Sequence, residues 1–152
     1  MDFDVTVTDK GVWITRGKGK RKTMAQVVRF DTIPGGGQIK VVTEEGAKVV
    51  EEMASEGSVL DEIAAILCIS HATLYTPHNR ERVKSAYEKG RAMCNDRLRH
   101  AQVSKAMEGD PRMLMFLGKV LLGQREEDAG PSSELAEFVK TVQGVSGDPE
   151  EE

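Results

Sequence analysis

Aromatic residues make up only 5% of the 152-residue chain, and hydrophobic residues of all kinds only 39%. That is a thin supply for a self-sufficient core, so burial against further copies of the chain is expected. Cysteine is equally scarce. Cys68 and Cys94 form no disulfide framework, which favours an intracellular protein with reduced thiols. No apolar run approaches the roughly 20 residues of a membrane span. The opening Met-Asp-Phe-Asp places acids where a secretion signal needs bases and an apolar stretch. Cys68, His71, His78 and Cys94 lack the paired spacing of a zinc site. Gly19-Lys20 is followed by Arg21 rather than Ser or Thr, so the glycine-rich stretch is not a phosphate loop. The expectation is a chain that is not an enzyme and holds no cofactor and no metal.

What is abundant is charge, unevenly distributed. Residues 1–40 carry eight bases and four acids, residues 41–125 twelve of each, and residues 126–152 one base and nine acids. A basic head and an acidic tail point to two kinds of partner. Arg16, Lys18, Lys20, Arg21 and Lys22 fall within seven residues, a run suited to phosphates. It is equally suited to a solvated loop.

Periodicity divides the chain into four segments. In residues 1–42, Phe3, Val5 and Val7 alternate with polar residues, Asp9-Lys10-Gly11 reads as a turn, and Val12–Thr15 as a return strand. This segment is read as a short β-like basic arm, with Gly35–Gly37 as a hinge at its end. From Thr43 the period becomes helical. Ala47, Val50, Met53 and Ala54 form one stripe, and Leu60, Ile63, Ala64 and Leu67 the next, opened by a Ser58/Asp61 capping box. Ser70 caps a third short helix that runs through Leu74 and is ended by Pro77. Residues 43–78 therefore read as a helix-turn-helix domain, in which a first helix braces a second that enters the DNA major groove, or else as an ordinary helical hairpin in a bundle core. Cys68 stands where glycine is usual at the turn. Ser70, His71, Thr73, Tyr75 and Thr76, with Arg80, Arg82 and Lys84, are its candidate DNA contacts. No Arg, Asn or Gln lies on the short second helix, so base reading should be modest.

Residues 79–125 read as a helical hairpin. Its long arm carries a small-residue face that includes Ala86, Gly90 and Cys94. Gly109-Asp110-Pro111 is the corner: a left-handed glycine, an N-cap and a first-turn proline. Eight of the ten residues Met113–Leu122 are apolar, too many to leave exposed. Met113, Phe116, Leu117, Val120 and Leu121, together with the small-residue face, are the expected oligomer interface. Residues 126–152 form an acidic tail. A short helix there would place Leu135, Phe138, Val139 and Val142 on one side to dock a partner, unless the tail only shields the basic surface. The fold class expected from all this is mainly α.

The ordered set Ile63-Ala64 to Tyr75, Ala86 to Ala92, Ala106 to Pro111 and Met115 to Lys119 resembles the small terminase subunits of tailed bacteriophages. The stretch concerned is roughly residues 43–125. The resemblance implies a non-enzymatic packaging adaptor in the cytoplasm of an infected bacterial host. It would bind double-stranded viral DNA through the helix-turn-helix. By analogy it would form a ring homo-oligomer of about eight to eleven subunits. It would regulate a separate large terminase subunit that carries the ATPase and nuclease. The alternative from a different class is a dimeric helix-turn-helix transcriptional regulator on a palindromic site.

Overall fold

The computed structural model describes residues 3–17 and 21–124. Strand alternation builds more than a short arm at the N-terminus. β1 (Phe3–Thr8), β2 (Gly11–Arg16), β3 (Thr23–Thr32) and β4 (Gln38–Val42) form one antiparallel sheet in the order β1-β2-β3-β4. The helices are α1 (Glu44–Ser55), α2 (Leu60–Ile66), α3 (His71–Leu74), α4 (Arg80–Met107) and α5 (Pro111–Leu122). Strands hold 23% and helices 53% of the described residues, so the fold is mixed α/β and the mainly α expectation is overturned. The physical reason is that the sheet buries one face only, which leaves β3 and β4 too polar to read as strands. Gly35–Gly37 is no hinge: it lies in the β3–β4 connection, where Ile33 N–H donates to the Gly37 carbonyl at 2.9 Å.

Pairing in β2–β3 shifts between Val12↔Val28 and Trp13↔Gln26, which leaves Val27 as an extra residue. This bulge sends both Val27 and Val28 to the core, where each is at most 1% exposed. Val12, Ile14 and Val42 join them, against Val49, Val50, Met53 and Ala54 of α1. Trp13, out of phase with Val12 and Ile14 along β2, belongs to the opposite face of the sheet and is half-buried. Ile63, Ala64, Leu67, Ile69, Leu74, Val83 and Ala86 complete the same cluster. The sheet and α1–α3 are thus one folded unit, and residue 42 is not a domain border. The described residues divide into two compact units, one ending at Leu98 and the other beginning at Arg99.

Thr43 fixes the passage from sheet to helix. Its hydroxyl accepts the Gly46 N–H at 3.1 Å, capping α1, and contacts the Gln26 carbonyl at 2.6 Å. Gly46 is needed where it stands, since a Cβ there would lie 2.1 Å from the Val27 carbonyl oxygen. α2 starts one residue later than the expected capping box. Val59 is its N-cap, and the Glu62 carboxylate, rather than that of Asp61, accepts the Val59 N–H at 3.0 Å.

In the second unit, Asp110 caps α5 by accepting N–H groups from Arg112 and Met113 at 3.0 and 3.1 Å, with Pro111 in the first turn. Gly123, at φ 66°, ends the helix, and the Gln124 N–H donates to the Gly118 carbonyl at 3.1 Å. Both boundaries follow the local chemistry of the sequence. Among the described residues no helix is long and apolar enough to cross a membrane.

Candidate nucleic-acid interface

The turn between α2 and α3 decides where α3 points. Cys68 has φ 54°, the one positive value at a non-glycine among the described residues. Cys68 N–H donates to the Ala65 carbonyl and Ile69 N–H to the Ala64 carbonyl, both at 3.1 Å. These two bonds close α2 with a Schellman motif. Ile69 and Leu74 then plug the core while Cys68 itself stays exposed. This left-handed residue stands at the position where helix-turn-helix units usually carry glycine.

Ser70 caps α3, accepting the Thr73 N–H at 3.3 Å and sharing a 2.8 Å hydrogen bond with the Thr73 hydroxyl. The Thr76 hydroxyl donates to the Thr73 carbonyl at 2.9 Å. Thr73 and Thr76 are half-buried, and these bonds occupy their hydroxyls internally. His71 and Tyr75 are the exposed pair. Their rings meet edge-on at 5.0 Å, and His71 Nε2 lies 3.7 Å from Asp61 Oδ1. α3 is a single turn, so its outward chemistry amounts to one imidazole, one phenol and the Ser70 hydroxyl.

Beside that turn, Leu60, Leu74, Val83 and Tyr87 line a cleft of about 520 Å³ with Tyr75, Arg80, Lys84 and Glu88. Arg80 and Lys84 are both exposed on the first turns of α4. Lys84 lies 4.0 Å from Glu88, a distance that leaves its charge largely unspent. Tyr75, Arg80 and Lys84 therefore share one patch.

Other candidate contacts make bonds within the fold. Arg82 donates to the Val42 carbonyl at 2.6 Å. Arg16 pairs with Glu52 through contacts of 2.6 and 2.8 Å. Arg21 and Lys22 are exposed, while Lys18 and Lys20 lie outside the described residues. Nothing in the sequence marked the residue that organises this corner, Asn79. It is fully buried. Its Oδ1 accepts the Val42 N–H at 2.8 Å, and its Nδ2 donates to the Lys40 and Thr73 carbonyls at 2.9 Å. One side chain thus ties β4 to α3.

The expected oligomer interface divides in two. Ala86 and Gly90 are buried inside the chain; a Cβ at Gly90 would meet the Glu51 carbonyl oxygen at 2.3 Å and the Ala54 Cβ at 2.6 Å. Cys94 is half-buried beside Gly57. This small-residue face is where α4 crosses α1, so its residues are unavailable to a second copy. On α5, by contrast, Phe116, Val120 and Leu121 are 46%, 61% and 55% exposed, while Met113 and Leu117 are half-buried. Leu135, Phe138, Val139 and Val142 lie outside the described residues.

Among the described residues, the one carboxylate with a shifted acidity lies elsewhere. The Arg29 guanidinium, bonded to Asp31 at 2.7 and 2.9 Å, holds that carboxyl below its ordinary range. This pair lies on β3 and contributes nothing to the α3 patch. No group of three or more His, Cys, Asp or Glu among the described residues is placed to hold a metal ion. No family model, curated protein or solved structure matches the chain.

Proposed function

We propose that the chain is a DNA-recognition subunit of viral genome packaging, of the small-terminase kind. It holds double-stranded DNA on the α3–α4 patch and assembles with copies of itself through α5. Its acidic tail, residues 126–152, regulates a separate large subunit that carries the ATPase and nuclease. Its setting is the cytoplasm of an infected bacterium.

The observation that carries this reading is the left-handed Cys68 turn. It sets α3 with Leu74 inward and His71 and Tyr75 outward, beside Arg80 and Lys84. Such an arrangement supplies phosphate contacts and a short probe, with little capacity to discriminate bases. Weak grips of this kind become effective when several copies present them together. The exposed apolar side chains of α5 support self-association, because so much grease in twelve residues is costly to leave in water.

The test is duplex binding followed by fluorescence anisotropy over a salt series, with native mass spectrometry on the same samples. Changing Arg80 and Lys84 to Glu should weaken binding at least tenfold on every duplex. It should also reduce the slope of log K against log salt by about two. No binding at low salt sinks the DNA reading. A dimer as the largest species, specific for a palindrome, favours the transcriptional regulator instead.

A further inference from the structure

The chain has only two tyrosines, and both line the cleft between α2, α3 and α4. Leu74 and Val83 are the most buried of its lining residues, 1% and 4% exposed. Leu60 and Tyr87 are half-buried, and Tyr75 is 53% exposed. Two exposed cations, Arg80 and Lys84, stand a turn apart on α4, about 6 Å along its axis. Against them is one acid, Glu88. A fully paired duplex uses only part of this site. Its phosphates reach the cations, but its bases are stacked on one another and do not enter an apolar recess. A cleft of about 520 Å³, within the range of sites that enclose small ligands, would then go unused.

We infer that the cleft takes an unstacked base, so that the α3–α4 patch grips DNA more tightly where a nucleotide is unpaired. Three features fit that occupant. First, the rings match. An unpaired base presents a flat π face, and proteins hold such bases on aromatic side chains set beside cations. Tyr75 offers an exposed ring, packed edge-on against His71 at 5.0 Å, and Tyr87 a second ring in the same cleft. Second, the charges match. The phosphates that flank an extruded base are anions, and Arg80 and Lys84 are spaced along α4 to meet them. Third, the chemistry of base edges is missing. α3 carries no Arg, Asn or Gln, and the hydroxyls of Thr73 and Thr76 are bonded internally. The base is therefore held by its face, with little preference for its identity.

Taking a base out of an intact duplex is costly, and least so at a mismatch or an unpaired nucleotide. The inference rests on the nucleic-acid reading of the patch and narrows the form of DNA that it favours.

The test is fluorescence anisotropy of the full chain on a labelled, fully paired duplex and on the same duplex with one bulged thymidine. Tyr75→Ala and Tyr75→Phe are compared with the unaltered chain, because the exposed Tyr75 ring can be truncated without opening the core. Circular dichroism checks that each variant is folded. The unaltered chain should hold the bulged duplex about tenfold more tightly, the scale of one base stacked on an aromatic ring. Tyr75→Ala should lose that preference and bind the paired duplex as before, and Tyr75→Phe should keep the preference. Equal affinity for the two duplexes, still dependent on Arg80 and Lys84, overturns the inference and leaves duplex binding standing. A preference that survives Tyr75→Ala, or an equal loss on both duplexes, overturns it as well. No binding to either duplex removes the nucleic-acid reading itself, and the inference with it.

Discussion

The amide of Asn79 lies against the outer edge of β4, taking the Val42 N–H on its oxygen at 2.8 Å and giving its own N–H to the Lys40 carbonyl at 2.9 Å. Alternate residues of an edge strand present both groups outward, so the side chain occupies the place that a fifth strand would take. Arg82 adds a bond to the Val42 carbonyl. One edge of the sheet is therefore closed by polar side chains from beyond α3, and the residues that follow α3 are held by the sheet.

Replacing Asn79 with Ala leaves the Val42 N–H and the Lys40 carbonyl without these partners in a buried setting. The expected loss is about 3 kcal/mol, near the upper range for a stranded buried pair. Urea unfolding measures it directly. A loss below about 0.5 kcal/mol would mean that water replaces the amide and that the tie is dispensable.

Gly90 offers a prediction whose sign is decided by packing. Helix propensity alone makes Gly→Ala favourable by about 1 kcal/mol. Here the added carbon meets the Glu51 carbonyl oxygen at 2.3 Å, and backbone cannot swing aside. Gly90→Ala should therefore destabilise by about 1–3 kcal/mol, with the association of the folded chain unchanged. A stable Gly90→Ala protein that no longer self-associates would place this glycine between copies after all.

Cys68→Gly should act in the opposite direction. A left-handed conformation costs a residue with a Cβ about 1–2 kcal/mol that glycine does not incur. The glycine's greater freedom in the unfolded chain offsets part of that gain. A net rise of about 0.5–1 kcal/mol in unfolding free energy is expected, with duplex binding unaltered because Cys68 is not among the patch residues. Destabilisation on this change would show that the thiol packs usefully where it stands.

Local signals were the readable ones. Ser70 and the Asp110-Pro111 pair cap helices as their chemistry dictates, and Gly109 takes the left-handed value that ends a helix. The helix-turn-helix spacing located the left-handed turn at Cys68 and the inward Leu74. The sheet was underestimated, because only one of its faces is apolar and the bulge at Val27 breaks the alternation that betrays a strand. The internal partners of two candidate cations were equally hidden: Arg16 and Arg82 find theirs 36 and 40 residues away. Asn79 was invisible for the same reason, its bonds to β4 spanning 37 and 39 residues. Small residues on α4 were rightly expected to face another helix. Periodicity does not say whether that helix is α1 of the same chain or belongs to a different one.

The sole tryptophan of the chain, Trp13, sits on the half-open side of the sheet, away from the buried valines of the bulge. Its emission is a reporter of sheet melting, and it stands on the face of the sheet opposite the core into which Leu74 of α3 packs. An optical titration of ligand therefore needs a dye placed elsewhere, and a change in the intrinsic signal on adding DNA would be a sign that the strands themselves take part.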